Sequence, residues 1–292
     1  MGPIQRLGLI AGNGLLPFYV LDEAFRRSVP VTVAAIKEET FPEIEAHIGA
    51  MNSDISIHWL GLGQLGRLIA TFKKEGVTHA LMMGQVKHAR IFAPGSRSPL
   101  QHLKNLPDLR AIKLLASLSR KNTSSLINAV ISEIEKEGIK FIDSTSFLED
   151  LLPDAGLLTK RPPTAEEERD FTYGIPVARD IIKLDLGQTI VVKSQAVVAV
   201  EAMEGTDSAI RRASELVHGE RLTVIKVSRP DVEMRFDVPV IGPDTLQVLR
   251  DCNVTALALD ARRTLIIEKE SFLRQASDAD LCVMGFTPPP FN

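Results

Sequence analysis

Cysteine, excess positive charge and long apolar runs are what this sequence has little of. Its two cysteines, Cys252 and Cys282, form no paired motif, which argues against a disulfide framework or a cysteine-rich zinc site. The formal net charge of -3 argues against the strongly basic surface of most nucleic-acid-binding proteins. No stretch approaches the roughly 18 uninterrupted apolar residues that a membrane-spanning helix needs. We therefore expect a cytoplasmic protein that binds no nucleic acid and contacts a membrane only peripherally.

The size and the order of apolar runs predict two α/β domains. With 292 residues and 45% hydrophobic content, the chain can bury a large core. The first half alternates short apolar runs with amphipathic stretches, which predicts a parallel sheet covered by helices on both faces. We expect a Rossmann-like domain over residues 1–137 and a second α/β domain over residues 138–292. The polar, proline-bearing residues 153–170 predict a long exposed loop that leads into a helix.

Two glycine-rich loops follow predicted strands of the first half. GLIAGNG places Gly12, Asn13 and Gly14 after the first strand, at the edge where open parallel sheets bind ligands. A tight turn explains the same glycines without a ligand. GLGQLG, at residues 61–66, has the spacing of a dinucleotide fingerprint, but the acidic residue expected about 20 residues later is missing. Lys87, after the next strand, is a candidate phosphate contact or a solvated surface cation.

Residues 187–207, GQTIVVKSQAVVAVEAMEGTD, combine two strongly β-forming runs with polar side chains that need an explanation. Lys193 and Gln195 lie in the interruption between the two runs. The segment ends in an acidic turn with a Thr-Asp pair, which predicts the start of a helix. Because helix N-termini attract anions, a lysine and several carboxylates beside one predict a setting for phosphate and a divalent cation.

A second block, MRFDVPVIGPDTL, ends a predicted strand and opens a helix. Asp237 lies between Phe236 and Val238 in an apolar context, where a carboxylate needs a partner or a task such as activating water. A structural ion pair with Arg235 or a turn-forming role explains it equally well, since structural networks also perturb carboxylates. The residues alone leave both interpretations open.

Four blocks in order resemble the LpxI-type UDP-2,3-diacylglucosamine pyrophosphatases of the lipid A pathway in Gram-negative bacteria: GLIAGNGLLP, MMGQVK, residues 187–207 and MRFDVPVIGPDTL. The resemblance covers nearly the whole chain. It implies a Rossmann-like first domain, a second domain of a family-specific fold, and a lipid-linked UDP-sugar held in the cleft between them. It also implies magnesium-dependent hydrolysis of the pyrophosphate to UMP and 2,3-diacylglucosamine 1-phosphate.

The resemblance gives Asp237 the role of general base or organiser of a metal-bound water. Hydrolysis of a phosphoanhydride needs mainly positioning and charge compensation. The remaining candidates are Lys193 as a second catalytic residue, with either Lys193 or Lys87 neutralising phosphate charge, and Glu204 and Asp207 as metal ligands. The predicted substrate contacts are Gly12, Asn13, Gly14, Lys87, Gln195, Gly205, Thr206 and Arg235. Manganese in place of magnesium, transient contact with a membrane surface and a homodimer are left open.

Two other functions compete with hydrolysis. GLGQLG and the Rossmann-like first half are compatible with a nicotinamide-dependent oxidoreductase, against which the missing ribose-binding acid argues. A non-catalytic nucleotide or lipid carrier would use Asp237 structurally. Neither an HExxH motif nor a Gly-x-Ser-x-Gly elbow occurs, so zinc peptidases and serine hydrolases lack support.

Overall fold

The computed structural model describes residues 3–51, 53–86, 107–118, 123–184, 186–229, 234–235 and 238–288. Of the candidate residues, Lys87 and Asp237 lie outside these ranges. The chain divides into two compact units, Met1–Leu148 and Glu149–Asn292. None of the helices in the described part of the chain has the length and apolarity needed to cross a bilayer.

The first unit is built on a five-stranded, all-parallel sheet in the order β3-β2-β1-β4-β5. The strands are β1 (Leu7–Ala11), β2 (Val31–Ile36), β3 (Ile55–Leu60), β4 (His79–Met83) and β5 (Lys140–Phe141). The described helices are α1 (Leu16–Arg26), α2 (Ile44–Ala50), α3 (Leu65–Lys74), α4 (Leu109–Ser117) and α5 (Thr123–Glu135). Every residue of β2 is buried, as expected for a parallel strand covered on both faces. The strand order reverses beside β1, which is the arrangement of doubly wound nucleotide-binding folds.

The boundary between the units lies after Leu148 rather than after residue 137. Strand β5 pairs in parallel with β4, with Lys140 opposite His79, so this short strand completes the first sheet. An isolated apolar run does not encode which sheet it joins. For that reason the predicted boundary after residue 137 assigned this strand to the second domain.

The second unit contains a six-stranded mixed sheet in the order β6-β13-β11-β9-β7-β8 and a two-stranded parallel sheet of β10 and β12. Strands β9, β11 and β13 are parallel, whereas β6, β7 and β8 run antiparallel to their neighbours. The strands are β6 (Gly156–Leu157), β7 (Thr189–Lys193), β8 (Ala196–Val200), β9 (Leu222–Lys226), β10 (Val240–Ile241), β11 (Val254–Asp260), β12 (Leu265–Ile266) and β13 (Cys282–Phe286). The helices are α6 (Ala165–Lys183), α7 (Thr206–Leu216), α8 (Pro243–Asp251) and α9 (Lys269–Asp278).

Helices cover both faces of this second sheet. Because side chains alternate along a strand, Val191 packs in the cluster with α7, α8 and α9, and Val192 packs in the cluster under α6. Gly174 allows α6 to approach the sheet closely, since a Cβ at this position would overlap Cδ1 of Ile225. The two faces of the sheet therefore carry separate hydrophobic cores.

Most of residues 153–170 are exposed and they lead into a helix, as the sequence predicted, but they also include a short strand and buried side chains. They contain β6, and α6 begins at Ala165. Thr164 and Glu167 form a capping box, in which each side chain accepts a hydrogen bond from the backbone N–H of the other residue. Glu167 and Asp170 are both buried. Their charge made this segment look like a surface loop, but each carboxylate has buried or half-buried partners.

Candidate functional site

The carboxyl ends of β9, β11 and β13 lie at one end of the strands of the second sheet. Open α/β sheets bind ligands there, so we call this end the ligand edge. Because β7 runs antiparallel to β9, its first residue, Thr189, pairs directly with the last residue of β9, Lys226. Strand β8 ends at the same edge, and α7 begins just beyond it. The two ends of the block 187–207 therefore meet at this edge, whereas its middle does not.

Lys226 is a buried charge at this edge, with only 4% of its surface exposed. Its Nζ donates hydrogen bonds to Oγ1 of Thr206 at 2.8 Å and to Oγ1 of Thr189 at 3.2 Å. The same atom lies 4.0 Å from Oε2 of Glu201, and Thr206 Oγ1 donates to Oε1 of Glu201 at 3.0 Å. A buried ammonium group is unfavourable unless it is paired and hydrogen-bonded, and these acceptors meet that requirement.

The sequence analysis missed Lys226. The available signal was a lysine in LTVIK, a strand whose residues are all buried. Its partners come from residues about 20 and 37 positions earlier in the chain. Only the antiparallel pairing of β7 with β9 brings them together.

Three of the predicted residues lie at the start of α7, Gly205 just before it and Thr206 and Asp207 in its first turn. Gly205 precedes the helix with φ 85°, a left-handed conformation that favours glycine, and a Cβ there would meet nothing within 4 Å. A helix with Asp207 in its first turn begins here as predicted, but its N-cap is Gly205 and not the Thr-Asp pair, since Thr206 is already the first helical residue. Asp207 Oδ1 accepts a hydrogen bond from Oγ1 of Thr245 at 3.0 Å, which links the first turns of α7 and α8.

Glu204 is held in an ion pair next to this turn. Its Oε1 accepts from Nη2 of Arg212 at 2.7 Å, and its Oε2 accepts from the backbone N–H of Ala202 at 3.1 Å. The hydrogen bond from Arg212 lowers the pKa of the Glu204 carboxyl. Within the described ranges, no three or more side chains of His, Cys, Asp or Glu gather where they could hold a metal ion. The described residues therefore do not join Glu204 and Asp207 into a metal site.

Lys193 lies at the other end of β7, four residues from Thr189, a separation of about 13 Å along a strand. Its Nζ pairs with Glu220. Ser194 and Gln195 form the two-residue turn between β7 and β8, with φ values of 49° and 60°. Positive φ at both positions is typical of a tight hairpin turn whose twist matches that of the strands. The structure thus does not bring Lys193 or Gln195 to Thr206.

Asp170 accepts a hydrogen bond from the backbone of this hairpin turn. Its Oδ1 accepts from the backbone N–H of Gln195 at 2.8 Å. Its Oδ2 accepts from Arg221 at 3.1 Å and from Oγ1 of Thr223 at 2.9 Å. This fully buried carboxylate on α6 therefore anchors the hairpin turn to the helix.

A second buried carboxylate lies at the ligand edge, on the face covered by α6. Asp260, the last residue of β11, is 1% exposed and accepts from Nη2 of Arg179 at 2.7 Å and Nη1 at 3.3 Å. It also accepts from the backbone N–H and the hydroxyl of Ser228, at 2.7 and 2.8 Å. Ser228 follows β9, so Asp260 fixes the chain where it leaves the sheet toward Arg235 and Asp237.

The far side of that segment is anchored by the same part of the chain. The backbone N–H of Leu265 donates to the carbonyl of Pro239 at 2.8 Å, where β10 pairs with β12. Arg235 is half-buried between these anchors. Ser228 and Pro239, which precede and follow Asp237 in the sequence, are thus both hydrogen-bonded to the segment that ends β11 and forms β12.

In the first unit, the loops after β1 and β4 contact each other through their backbones. Asn13 and Gln85 exchange backbone hydrogen bonds of 2.8 and 3.0 Å, and Asn13 Nδ2 donates to the carbonyl of Glu39 at 3.0 Å. A Cβ on Gly12 would lie 2.8 Å from the carbonyl oxygen of Gln85. These contacts account for Gly12 and Asn13 without a ligand. Gly14, with φ 98°, has open space where a Cβ would be.

The GLGQLG loop has a protein carboxylate at the position where a dinucleotide phosphate would be expected. Asp108 Oδ2 accepts from the backbone N–H of Gly66 at 2.6 Å and of Arg67 at 3.3 Å, at the start of α3. Its Oδ1 accepts from the N–H of Ala111 and caps α4. Since a helix N-terminus binds dinucleotide phosphates in such folds, this arrangement argues against a nicotinamide cofactor at this loop.

Two family models match consecutive parts of the chain. The LpxI N-terminal domain matches residues 6–151, and the LpxI C-terminal domain matches residues 154–284. The chain belongs to the LpxI family. A curated relative, UDP-2,3-diacylglucosamine pyrophosphatase LpxI of Caulobacter vibrioides, is 31% identical over 295 residues, which span 98% of this chain and 99% of the relative. The family resemblance and the α/β fold class predicted from the sequence are confirmed.

Solved structures resemble this LpxI chain only weakly. The leucoanthocyanidin reductase–NADPH complex from Vitis vinifera has a TM-score of 0.25 and 13% identity, and the match covers 46% of this chain and 47% of the reductase. The MgADP complex of the Hydrogenobacter thermophilus 2-oxoglutarate carboxylase biotin carboxylase domain has a TM-score of 0.26 and 12% identity, covering 74% and 42%. The chain thus spans less than half the length of each structure. At these scores the likeness carries no conclusion about fold or function.

Proposed function

We propose that this LpxI-family chain hydrolyses the pyrophosphate of UDP-2,3-diacylglucosamine to UMP and 2,3-diacylglucosamine 1-phosphate in lipid A biosynthesis. The observation that carries the proposal is the relative named for this activity, which aligns with 98% of the chain. The ligand edge of the second unit is compatible with a phosphate substrate, because it places a buried lysine beside the first turn of α7. The alternative oxidoreductase is disfavoured by Asp108, which binds the N-terminus of α3.

In the proposed reaction, Asp237 accepts a proton from a water molecule as the water oxygen attacks one phosphorus of the anhydride. The bond between that phosphorus and the bridging oxygen breaks, and its electron pair stays on the phosphate that leaves. Little covalent help is needed, because phosphoryl transfer depends mainly on position and charge. The reaction requires Asp237 to be positioned, and hydrogen bonds hold Ser228 and Pro239, which precede and follow it in the sequence.

Magnesium dependence is part of the same proposal. A bound Mg²⁺ would neutralise charge on the phosphate oxygens. The Glu204 carboxylate is engaged by Arg212 and the backbone N–H of Ala202, so it would bind Mg²⁺ only by sharing or giving up these hydrogen bonds. The test is UMP release with magnesium, with EDTA, and with manganese added after EDTA. Loss of release in EDTA and its return with either metal are expected, and an unchanged rate in EDTA would remove magnesium from the proposal.

The role of Asp237 is tested by UMP release from the wild type, Asp237→Ala and a control, Asp180→Ala. Asp180 is a matched aspartate because it is exposed on α6 and pairs with the exposed Lys183. We expect Asp237→Ala to lose turnover with its melting temperature unchanged and Asp180→Ala to keep both. A carrier would instead retain ligand binding and show no turnover even in the wild type.

Transient contact with the membrane surface and dimer formation are further proposals that follow from a lipid-linked substrate and the family. Co-sedimentation with phospholipid vesicles tests the first, and light scattering of the purified chain tests the second. Complete recovery of the protein in the supernatant would contradict membrane contact under those conditions.

A further inference from the structure

The hydroxyl of Thr206 is fully used by protein partners. A threonine hydroxyl has one donor and two acceptor positions. It donates to Oε1 of Glu201 at 3.0 Å, accepts from Nζ of Lys226 at 2.8 Å, and lies 3.3 Å from Oγ1 of Thr189. This side chain is therefore held by the protein. The backbone N–H of Thr206 is then the group that would make the predicted contact with the substrate. At the first position of a helix, that N–H has no acceptor within the helix.

The ammonium of Lys226 contacts the first residue of this helix. Lys226 is the last residue of β9, and the two threonine oxygens to which it donates belong to the two ends of the block 187–207. Gly205 has no side chain with which to cap α7. The hydrogen bonds that join Thr206 to Lys226 and to Glu201 thus attach the first turn of α7 to the central part of the sheet.

The same turn is linked to the segment that continues from Asp237. Asp207, the second residue of α7, accepts from Thr245 in the first turn of α8. Helix α8 follows β10, which begins three residues after Asp237. A shift of the start of α7 would therefore be passed to α8 and to the strand that leads into it.

We propose that Lys226 is a positioning residue for the phosphoanhydride substrate: through Thr206 it fixes the first turn of α7 at the ligand edge, in register with α8. This inference rests on the proposed function. Lys193, the lysine that was predicted to lie in the site, is at the opposite end of β7.

A purely structural role for the same contacts makes a different prediction. Removing Lys226 alone would leave the Glu201 carboxylate without its buried cation and would destabilise the protein whatever its activity. Lys226→Met combined with Glu201→Gln removes both charges while nearly keeping the side-chain volumes, and such paired replacements are often neutral for stability. This double variant therefore separates positioning from stability.

The test compares UMP release and melting temperature for Thr206→Val, Thr206→Ser, Lys226→Met/Glu201→Gln and Thr223→Val in the full chain. Thr223→Val is the matched control, because Thr223 lies near the other end of β9 and its hydroxyl also donates to a carboxylate. We expect kcat to fall about tenfold to a hundredfold in Thr206→Val and in the double variant, as loss of alignment typically does. KM should change by less than about threefold, since uniform binding is not removed. Thr206→Ser keeps the hydroxyl and should therefore have a kcat close to that of the wild type. Thr223→Val should also have a wild-type kcat, whatever its melting temperature.

Wild-type kcat in both Thr206→Val and the double variant would overturn the inference while leaving the proposed function intact. A fall in kcat that follows melting temperature equally in Thr223→Val would overturn it as well, because the contacts would then only stabilise the fold. If the wild type released no UMP, the proposed function would fail and the inference with it.

Discussion

Replacing Glu167 by glutamine tests how a buried carboxylate anchors the start of α6. Glu167 is 1% exposed and accepts two hydrogen bonds from Arg161, at 2.8 and 3.0 Å. It also accepts from Oγ1 of Thr255 at 2.6 Å and from the backbone N–H of Thr164 at 2.8 Å. These four bonds join the loop before α6, the first turn of the helix and β11. The carboxylate is therefore a fixed anion whose loss should be measurable.

The expected magnitude follows from the pKa of Glu167. Burial alone would raise this pKa, but the hydrogen bonds from Arg161, Thr255 and Thr164 lower it from 4.5 to about 2. That shift corresponds to about 3 kcal/mol of stability. Because the folded-state pKa is depressed, this stability is fully present above about pH 4.5 and is lost as the pH falls through the window down to about 2.

The assay is guanidinium unfolding followed by circular dichroism at several pH values between 7 and 3. Glu167→Gln should lower the free energy of unfolding by about 3 kcal/mol at pH 7, and its difference from the wild type should shrink below pH 4.5. Glu166→Gln is the control, since Glu166 is exposed and should show little change. A Glu167→Gln variant as stable as the wild type at pH 7, or a difference that does not depend on pH, would refute the reasoning.

Two further predictions concern thiols and helix packing. Burial raises the pKa of the Cys252 thiol and raises that of Cys282 to about 11, so both should react slowly with a disulfide reagent at pH 8 and rapidly after unfolding. Fast reaction of the native protein would contradict this. Gly174→Ala should destabilise the protein by about 1–3 kcal/mol, because its Cβ would overlap Ile225. Gly49→Ala on α2, with nothing within 4 Å, should instead be neutral or stabilising; equal melting temperatures for the two variants would contradict the packing argument.

The architecture could be predicted from local sequence patterns. Apolar runs of strand length alternating with amphipathic stretches gave β1, β2 and β3 and their parallel sheet, because both faces of such a sheet are buried. The start of α7 followed from the Thr-Asp pair after a glycine. The domain boundary did not follow, because the pairing of β5 with β4 is a contact between distant residues.

The candidate site could be predicted in part, and the reason is topological. Gly205, Thr206 and Asp207 were placed correctly at the start of a helix. Lys193 looked equivalent to them because it lies in the same block of sequence. The β7–β8 hairpin turns that block back on itself, so its middle and its ends lie on opposite edges of the sheet. The turn residues are Ser194 and Gln195, and neither is the glycine or asparagine that usually occupies such a turn.

Partners distant in sequence decided the roles of the remaining charged residues. The Glu204 carboxylate, which was predicted to bind metal, forms an ion pair with Arg212, eight residues later in the chain. Lys226 enters the site only because β7 and β9 are antiparallel neighbours. Local pattern therefore identified which blocks matter, and the sheet pairing determined which side chains meet.

The most direct test of the central claim is UMP release from UDP-2,3-diacylglucosamine by the purified chain, measured beside folded Asp237→Ala. The account predicts release by the wild type and its loss in Asp237→Ala at an unchanged melting temperature. No release by the wild type, or equal release by both proteins, would contradict it.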